Sequence, residues 1–124
     1  MKKDPAPVFR SMGKLKSWLA ETGARDVVLA NGCFDPLHVG HIRYLRGARD
    51  YGDFLIVALN DDTSTRALKG TGRPVMRAVD RSKLLAGLDM VDAVLLFSAR
   101  NVSRILKTLR PRYHAKGTDY TVDT

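Results

Sequence analysis

The chain has 124 residues, which is long enough for one domain with a hydrophobic core and too short for two. Its single cysteine excludes an internal disulfide framework, and no apolar run approaches the roughly 20 residues needed to cross a bilayer. We therefore expect one cytoplasmic domain over residues 1–124, with no secretory signal and no membrane partner.

The formal net charge of +8 at pH 7 indicates an anionic partner, either nucleic acid or a phosphorylated metabolite. The basic residues are spread along the chain and are not interleaved with its nine aromatic residues (four Phe, four Tyr and one Trp). The sequence shows neither zinc-finger spacing nor an RNA-recognition signature. The charge by itself therefore favours nucleic acid only weakly, and both kinds of anionic partner stay open at this point.

Helical and strand patterns alternate along the chain. An N-terminal extension, residues 1–25, has apolar residues at helical spacing and ends in Thr22-Gly23, which is typical of a helix C-terminus. In chain order the patterns predict a helix near 8–22, a strand at 26–31, a helix at 39–50, a strand at 54–59, a short helix from Asn60–Asp62 to about Leu68, a helix at 78–89, a strand at 91–97, a helix at about 101–109 and a strand at 113–116.

This alternation predicts an α/β fold, namely a Rossmann-like parallel sheet with helices on both faces. In such sheets, ligands bind beyond the carboxyl ends of the strands, near the point where the strand order reverses. The polar segments that follow the predicted strands are therefore the candidates for a functional site.

The segment Asn31–His41 is the strongest functional signal. It follows the first predicted strand, turns at a glycine, and places His38 and His41 at the start of a helix. Residues three apart share a helix face, so both rings can face one ligand, and the free N–H groups of a helix start suit phosphate. One core and one solvated histidine would be the alternative, but strand, glycine turn and paired histidines together favour a site.

These residues resemble the HxGH signature of the nucleotidyltransferase (cytidylyltransferase-like) superfamily. The resemblance covers about residues 26–124 and is strongest to the bacterial sugar-phosphate members, in particular the D-glycero-β-D-manno-heptose 1-phosphate adenylyltransferases. The further segments that carry it are Gly52–Ser64, Leu68–Val75, Arg81, Val91–Asp92 and Lys116–Tyr120.

The resemblance implies that a sugar 1-phosphate oxygen attacks the α-phosphorus of ATP, releasing pyrophosphate and giving ADP-heptose for surface polysaccharide. ATP and the sugar 1-phosphate are then the partners, and Mg²⁺ is expected only as the ion that accompanies the triphosphate. A phosphate nucleophile needs no strong base at neutral pH. We therefore expect catalysis to depend on cationic and hydrogen-bond-donating side chains.

By the same resemblance, His38, His41 and Lys69 are the catalytic residues. The histidines are expected to donate hydrogen bonds to phosphate oxygens, and Lys69, in a glycine-flanked loop, to bridge the phosphates of both substrates. The residues expected to hold or orient the nucleotide are Gly32, Cys33, Phe34, Asp35, Gly40, Gly117 and Asp119. The backbone of the first three is expected to cradle the triphosphate, with the Cys33 thiol as a spectator.

The sugar phosphate is expected to contact Asn60, Asp62, Arg73 and Arg81. Arg73 is a second candidate for binding phosphate. For Arg81 two roles stay open, a bidentate contact with the substrate phosphate and a structural ion pair. For Asn60 and Asp62, contact with the sugar competes with helix capping as the explanation. We see no metal-ligand cluster in the sequence, and His114, inside a predicted strand, is not expected to be catalytic.

The chain departs from the superfamily at its C-terminus. Members continue beyond the Lys116–Asp119 segment with a further strand and a closing helix that opens with a Ser/Thr-rich motif. The sequence contains no such motif, so we expect the last strand and helix to be missing and the sequence to be truncated.

Two other functions stay open. One is a cytidylyltransferase that uses CTP and glycerol 3-phosphate or a related polyol phosphate. The other is a non-catalytic module that binds a nucleotide or nucleic acid, against which the intact set His38, His41 and Lys69 argues. Dimerisation is common in the superfamily, and an exposed Trp18 on the first helix is the expected dimer surface.

Overall fold

The computed structural model describes residues 4–99 and 101–116 and the backbone of residues 122–123. Its strands are β1 (Val8–Phe9), β2 (Val27–Gly32), β3 (Phe54–Asn60), β4 (Ala93–Phe97), β5 (Tyr113–Ala115) and β6 (Val122–Asp123). Its helices are α1 (Met12–Thr22), α2 (Val39–Arg49), α3 (Asp62–Lys69), α4 (Ala78–Ala86) and α5 (Ser103–Leu109).

The strands form one sheet in the order β1-β4-β3-β2-β5-β6. Neighbouring strands run parallel except β5 and β6, which are antiparallel. The chain passes from β2 outwards through β3 to β4 and then places β5 on the other side of β2. The strand order therefore reverses between β2 and β5, and the predicted Rossmann-like sheet is confirmed. The short strand β6 was not predicted.

The predicted first helix is wrong at its start. Val8 and Phe9 form β1, which pairs with β4 in parallel register. Helix α1 begins only after Ser11, whose Oγ accepts a hydrogen bond from the Lys14 N–H at 3.3 Å. The backbone before Val8 is already held against the sheet, because the Pro7 carbonyl accepts a hydrogen bond from Val94 N–H at 3.0 Å. The apolar spacing of Val8 fits a helix locally, and only this distant pairing makes it a strand.

The other predicted elements are confirmed, with shifts at their ends. The largest are in the fourth helix and third predicted strand, where α4 ends at Ala86 instead of residue 89 and β4 begins at Ala93 instead of residue 91. Gly87 caps the end of α4, and its N–H bonds back to the carbonyls of the last turn. Helix ends depend on such caps, which hydrophobic periodicity does not register.

Alternate residues of the central strands face opposite sides of the sheet. On one side the buried residues Val28, Leu55 and Val57 pack with Leu45 of α2 and Leu85 of α4. The opposite side is covered by the buried side chains of α1 and α5 and their neighbours, which include Leu15, Leu29, Ile56, Leu95 and Ile105. The predicted helices on both faces are therefore confirmed.

Trp18 is not the exposed dimer surface that the sequence suggested. Its ring lies between those of Phe9 and Phe54, with centroid distances of 5.4 and 5.5 Å, and it packs against the core under α1. The exposed-Trp18 prediction is wrong because β1 brings Phe9 to this side of the helix. A homodimer stays a prediction without this surface.

None of the helices in the described part of the chain is both long enough and apolar enough to span a membrane.

Gly52 permits the close approach of the turn before β3 to the residue that precedes β2. A Cβ placed on Gly52 would lie 2.1 Å from the Asp26 carbonyl oxygen, a distance that no real Cβ contact shows. The same carbonyl accepts a hydrogen bond from the Asp53 N–H at 3.0 Å, so the backbone cannot move away without losing it. The two central strands therefore start in register only with glycine at this position.

We expect Gly52→Ala to lower the free energy of unfolding by about 1–3 kcal/mol, because the added methyl group overpacks against backbone. Urea denaturation monitored by circular dichroism measures this loss. The matched control is Gly47→Ala, on the exposed side of α2 with nothing within 4 Å of the new Cβ, which should stabilise the helix slightly. Equal stability of the two variants would contradict the steric argument.

Candidate active site

A cavity of about 650 Å³ lies at the carboxyl end of β2, beside the reversal of strand order. Its wall is formed by the turn from Asn31 to Pro36 and by the start of α2, with Lys69 and Arg73 on the other side. Most of the residues that the sequence assigned to nucleotide and catalysis are thus gathered in one place. The exceptions are Gly117 and Asp119, which lie outside the described residues, so their roles stay predictions.

His38 and His41 form the N-terminal cap of α2 through their own side chains. The Nδ1 atom of His38 accepts a hydrogen bond from the Gly40 N–H at 3.1 Å, and Nδ1 of His41 accepts one from the His38 N–H at 3.2 Å. The two rings stack with centroids 3.8 Å apart. Because each Nδ1 is an acceptor, each neutral ring carries its proton on Nε2 and has this one N–H to donate to a ligand.

His41 is held in its neutral form. Burial lowers the pKa of its imidazole to about 4, and the neighbouring charges of His38 and Lys69 act in the same direction. The edge of the His41 ring meets the buried ring of Phe34, with centroids 4.9 Å apart. At neutral pH His41 is therefore a hydrogen-bond donor through Nε2 and does not serve as a cation.

The backbone of the turn after β2 is strained at Phe34. This residue has a φ of +49°, in the left-handed region that side chains other than glycine rarely adopt. Its ring is buried and lies in contact with Gly32, where an added Cβ would approach the ring to 3.1 Å. The packed ring holds the strained turn, so the Gly32–Phe34 backbone stays curved around the cavity.

Asp35 fixes the loop that carries the cationic side chains. Its buried carboxylate accepts hydrogen bonds from the N–H groups of Val75 (2.6 Å) and Met76 (2.7 Å) and pairs with Arg73 at 3.3 Å. Burial by itself raises the pKa of Asp35, but these hydrogen bonds and the charges of Arg81 and Arg73 leave it below its ordinary value. The carboxylate thus holds the loop of Arg73, Val75 and Met76 against the turn after β2, and its predicted role in orienting the nucleotide stays a prediction.

Arg81 is buried completely and cannot meet a substrate in this conformation. Its guanidinium donates to the carbonyls of Cys33, Asn60 and Met76 and forms an ion pair with Asp62 at 2.8 Å. Of its two predicted roles, the structure shows the structural ion pair. The predicted substrate contact is wrong because every side of the guanidinium faces protein oxygen.

Asn60 is also inside the scaffold. Its Nδ2 donates to the Ser64 Oγ (3.0 Å) and the Ala99 carbonyl (2.9 Å), and the residue is 3% exposed, which contradicts a direct sugar contact. Asp62 accepts from the Ala78 N–H at 2.8 Å as well as from Arg81. The cap of α3 is Asp61, one residue earlier than the capping alternative supposed. Contact of Asp62 with a substrate stays a prediction.

Lys69 and Arg73 are the cations that face the cavity. Lys69 is the exposed last residue of α3, and Arg73 is partly exposed, with only Nη1 bonded to Asp35. Gly70 and Gly72 between them have φ values of +102° and +89°, which explains the glycines of this loop. Within residues 4–99 and 101–116, no group of three His, Cys, Asp or Glu side chains could hold a metal ion.

Sequence reasoning assigned no role to Tyr44, which lines the cavity, and included Asn31 only as the first residue of the Asn31–His41 segment. His114, which was not expected to be catalytic, meets Asn31 through its side chain. The Tyr44 hydroxyl accepts a hydrogen bond from the Asn31 N–H at 3.3 Å and donates one to the Ala115 carbonyl, so it joins β2 to β5. Burial raises the pKa of Tyr44 to about 12. Its position three residues after His41, on the same helix face, was the available signal.

Comparisons with known proteins place these features in a family. A family model described as cytidylyltransferase-like matches residues 29–124. The chain is 47% identical over 112 residues to the "Bifunctional protein HldE" of Campylobacter curvus, which covers 90% of the chain and 24% of that relative. It is 48% identical over 101 residues to the protein of the same name from Geotalea uraniireducens, covering 82% and 21%. The chain therefore spans about a quarter of the length of these curated relatives.

A solved structure is also similar. It is described as the lipopolysaccharide core biosynthesis protein from Thermoplasma volcanium GSS1, and it matches with a TM-score of 0.60 and 31% identity over 68% of both chains.

The buried contacts of Asp35 predict a pH-dependent stability. We expect Asp35→Asn to lower the free energy of unfolding by about 1–3 kcal/mol at pH 7, because the amide cannot accept two short backbone hydrogen bonds as a carboxylate does. Since the folded pKa lies below the ordinary value of 3.8, this stabilisation is complete above that value and is lost as the pH falls through the folded pKa.

Urea denaturation of both proteins at pH 7 and at pH 2–3, below the ordinary value of 3.8, measures the effect. The difference in stability should shrink at the lower pH, and the exposed Asp50→Asn should differ little from the wild type at either. A difference that stays constant across this range would show that the charge of Asp35 is not what stabilises the loop.

The protonation of His41 can be read by NMR. With a pKa of about 4, its ring signals should not titrate between pH 5.5 and 8, and the ring ¹⁵N shifts should show the Nε2–H tautomer. An imidazole midpoint near 6.5, the usual value for an exposed histidine, would contradict the neutral donor.

Proposed function

The chain belongs to the cytidylyltransferase-like family, and on that premise we propose that it is a nucleotidyltransferase that transfers AMP from ATP to D-glycero-β-D-manno-heptose 1-phosphate. The products are pyrophosphate and ADP-heptose. The observation that carries the proposal is the convergence of His38, His41, Lys69 and Arg73 on one cavity. The sugar substrate is supported by the resemblance to heptose 1-phosphate adenylyltransferases and by the similar lipopolysaccharide core biosynthesis protein.

The reaction forms one bond and breaks one. A phosphate oxygen of the sugar 1-phosphate attacks the α-phosphorus of ATP in line, and the bond from that phosphorus to the bridging oxygen of pyrophosphate breaks. No proton must leave the attacking dianion. The side chains therefore have two tasks, to hold two anions next to each other and to stabilise the charge that moves to the leaving group.

The capped histidines suit the second task. The Nε2–H groups of His38 and His41 come from rings whose other nitrogen is bonded to the start of α2, so they need no reorientation when charge develops. The N-terminal end of the helix dipole adds positive potential at the same place. A neutral His41 stabilises an oxyanion through its hydrogen bond without protonating it.

Lys69 and Arg73 suit the first task, because both side chains present positive charge to the cavity. Arg73 keeps one nitrogen on Asp35, so its remaining N–H groups are presented from a defined position. Mg²⁺ would supply further charge neutralisation on the triphosphate. Asp35 is the carboxylate that lines the cavity, and both its oxygens already accept hydrogen bonds, so phosphate oxygens and water would be the ligands of the ion.

Pyrophosphate release tests the proposal. ATP and CTP are each combined with heptose 1-phosphate and with glycerol 3-phosphate in the presence of Mg²⁺, and we expect release with ATP and the heptose. Release with CTP and glycerol 3-phosphate instead would assign the chain to the cytidylyltransferases that give the family its description. The absence of pyrophosphate release with all four pairs of substrates would contradict catalysis by this chain.

Two variants test the machinery. Lys69→Ala and His41→Asn should lower kcat by about 10²–10³-fold each, because each removes a group that acts on charge formed in the transition state. His41→Asn keeps a polar side chain at the helix start, and the circular dichroism spectrum checks that α2 is intact. Lys83→Ala, which removes an exposed lysine of α4 outside the cavity, is the matched control and should keep the wild-type rate.

A further inference from the structure

Asn31 and His114 meet across the reversal of strand order. Asn31 lies near the carboxyl end of β2, and His114 lies in β5, 83 residues later in the chain. The His114 Nε2 and the Asn31 Oδ1 are 2.7 Å apart. Since an amide oxygen only accepts, the imidazole donates through Nε2 in this arrangement.

This hydrogen bond determines which atom of the Asn31 side-chain amide, Oδ1 or Nδ2, can contact a ligand. With Oδ1 turned to His114, the Nδ2 group with its two N–H donors is on the other branch of the side chain. No acceptor for Nδ2 is found among the residues that the structure describes, and no polar side-chain atom of that part is both buried and unpaired. Nδ2 is therefore accessible, and Asn31 is part of the cavity wall.

The backbone of Asn31 is fixed as well. Its N–H donates to the Tyr44 hydroxyl at 3.3 Å, and that hydroxyl also bonds to the Ala115 carbonyl. The Tyr44 hydroxyl therefore connects the backbone of β2 to that of β5, and the His114 side chain connects β5 to the side chain of Asn31 in β2.

We infer that Asn31 is a substrate-binding residue whose Nδ2 donates a hydrogen bond to a phosphate oxygen of the substrates in the cavity, and that His114 is the positioning residue that orients its amide. The inference rests on the proposed function, because the phosphates are those of its nucleotide and sugar phosphate. The position agrees with this chemistry, since Asn31 directly precedes the turn of Gly32, Cys33 and Phe34.

The alternative orientation has the opposite consequence. If the amide were reversed, its oxygen would face the cavity and repel phosphate. A fixed N–H donor at this point therefore gives a preference for anionic ligands, and His114 excludes the reversed amide as long as its Nε2 carries a proton.

The test is a double-mutant cycle of Asn31 and His114, in which turnover and ATP binding are measured for the wild type, both single variants and the double variant. Asn31→Ala should lower kcat/KM by about 10- to 100-fold, the range of a lost hydrogen bond to a charged group. His114→Leu should lower it by about 2- to 10-fold, because the amide must then be ordered on binding. In the Asn31→Ala background, His114→Leu should have no further effect. His114→Gln, which places an N–H donor near the position of Nε2, should restore most of the activity.

Calorimetric titration with ATP alone shows whether Asn31 contacts a phosphate of the nucleotide or the phosphate of the sugar. A weaker Kd for ATP in Asn31→Ala assigns the contact to the nucleotide. An unchanged Kd with a raised KM for the sugar phosphate assigns it to the acceptor. Asn101→Ala, the same substitution in an asparagine that precedes α5 and accepts a hydrogen bond from the Ser103 N–H away from this cavity, is the matched control and should match the wild type in both.

Two results would overturn the inference. One is Asn31→Ala within twofold of the wild type in kcat/KM and in Kd. The other is that His114→Leu lowers kcat/KM equally in both backgrounds and also lowers the thermal midpoint. The pair would then only stabilise the pairing of β2 with β5. If the wild-type chain turns over no substrate, the proposed function is contradicted. The Kd values for ATP of the wild type and of Asn31→Ala still show whether Asn31 binds phosphate.

Discussion

The buried guanidinium of Arg81 is the interaction on which the geometry of the carboxyl edge depends. It joins the turn after β2, the end of β3 and the segment before α4 through three carbonyls, and it reaches the start of α3 through Asp62. A buried charge is tolerated only when its hydrogen bonds are satisfied, so these segments have one arrangement that is much better than the others. The cavity wall takes its shape from that arrangement.

Asp35 extends the same network to the cationic loop. Its carboxylate holds the backbone at Val75 and Met76, and the Met76 carbonyl in turn accepts from Arg81. The loop that presents Lys69 and Arg73 is therefore connected to the turn after β2 by two buried ionic side chains, those of Asp35 and Arg81. In the proposed function, the triphosphate would bind between this loop and the start of α2, whose backbones are already held in place, which reduces the entropic cost of binding.

The two histidines cap α2, and the proposed function adds a chemical role to this structural one. Their Nδ1 atoms satisfy N–H groups at the start of α2, where most helices use Ser, Thr, Asp or Asn, and their Nε2–H groups remain for a ligand. A residue that caps only would leave no donor, and a histidine outside the cap would be free to change its tautomer. The same contacts that begin the helix thus determine which nitrogen carries the proton.

The sequence by itself determined the order of most elements, the parallel Rossmann-like sheet and the position of His38 and His41 at a helix start, because hydrophobic periodicity, turn residues and a contiguous motif are local properties of the chain. Only the tertiary structure decided that Val8 and Phe9 form an edge strand, that Trp18 is packed, that Asn60 and Arg81 belong to the scaffold, and that His114 meets Asn31. Each of these depends on contacts between segments far apart in the sequence, such as Arg81 with Cys33 or His114 with Asn31. Which side chain ends up facing protein or cavity follows from strand pairing and helix packing, and no spacing within a single segment encodes it.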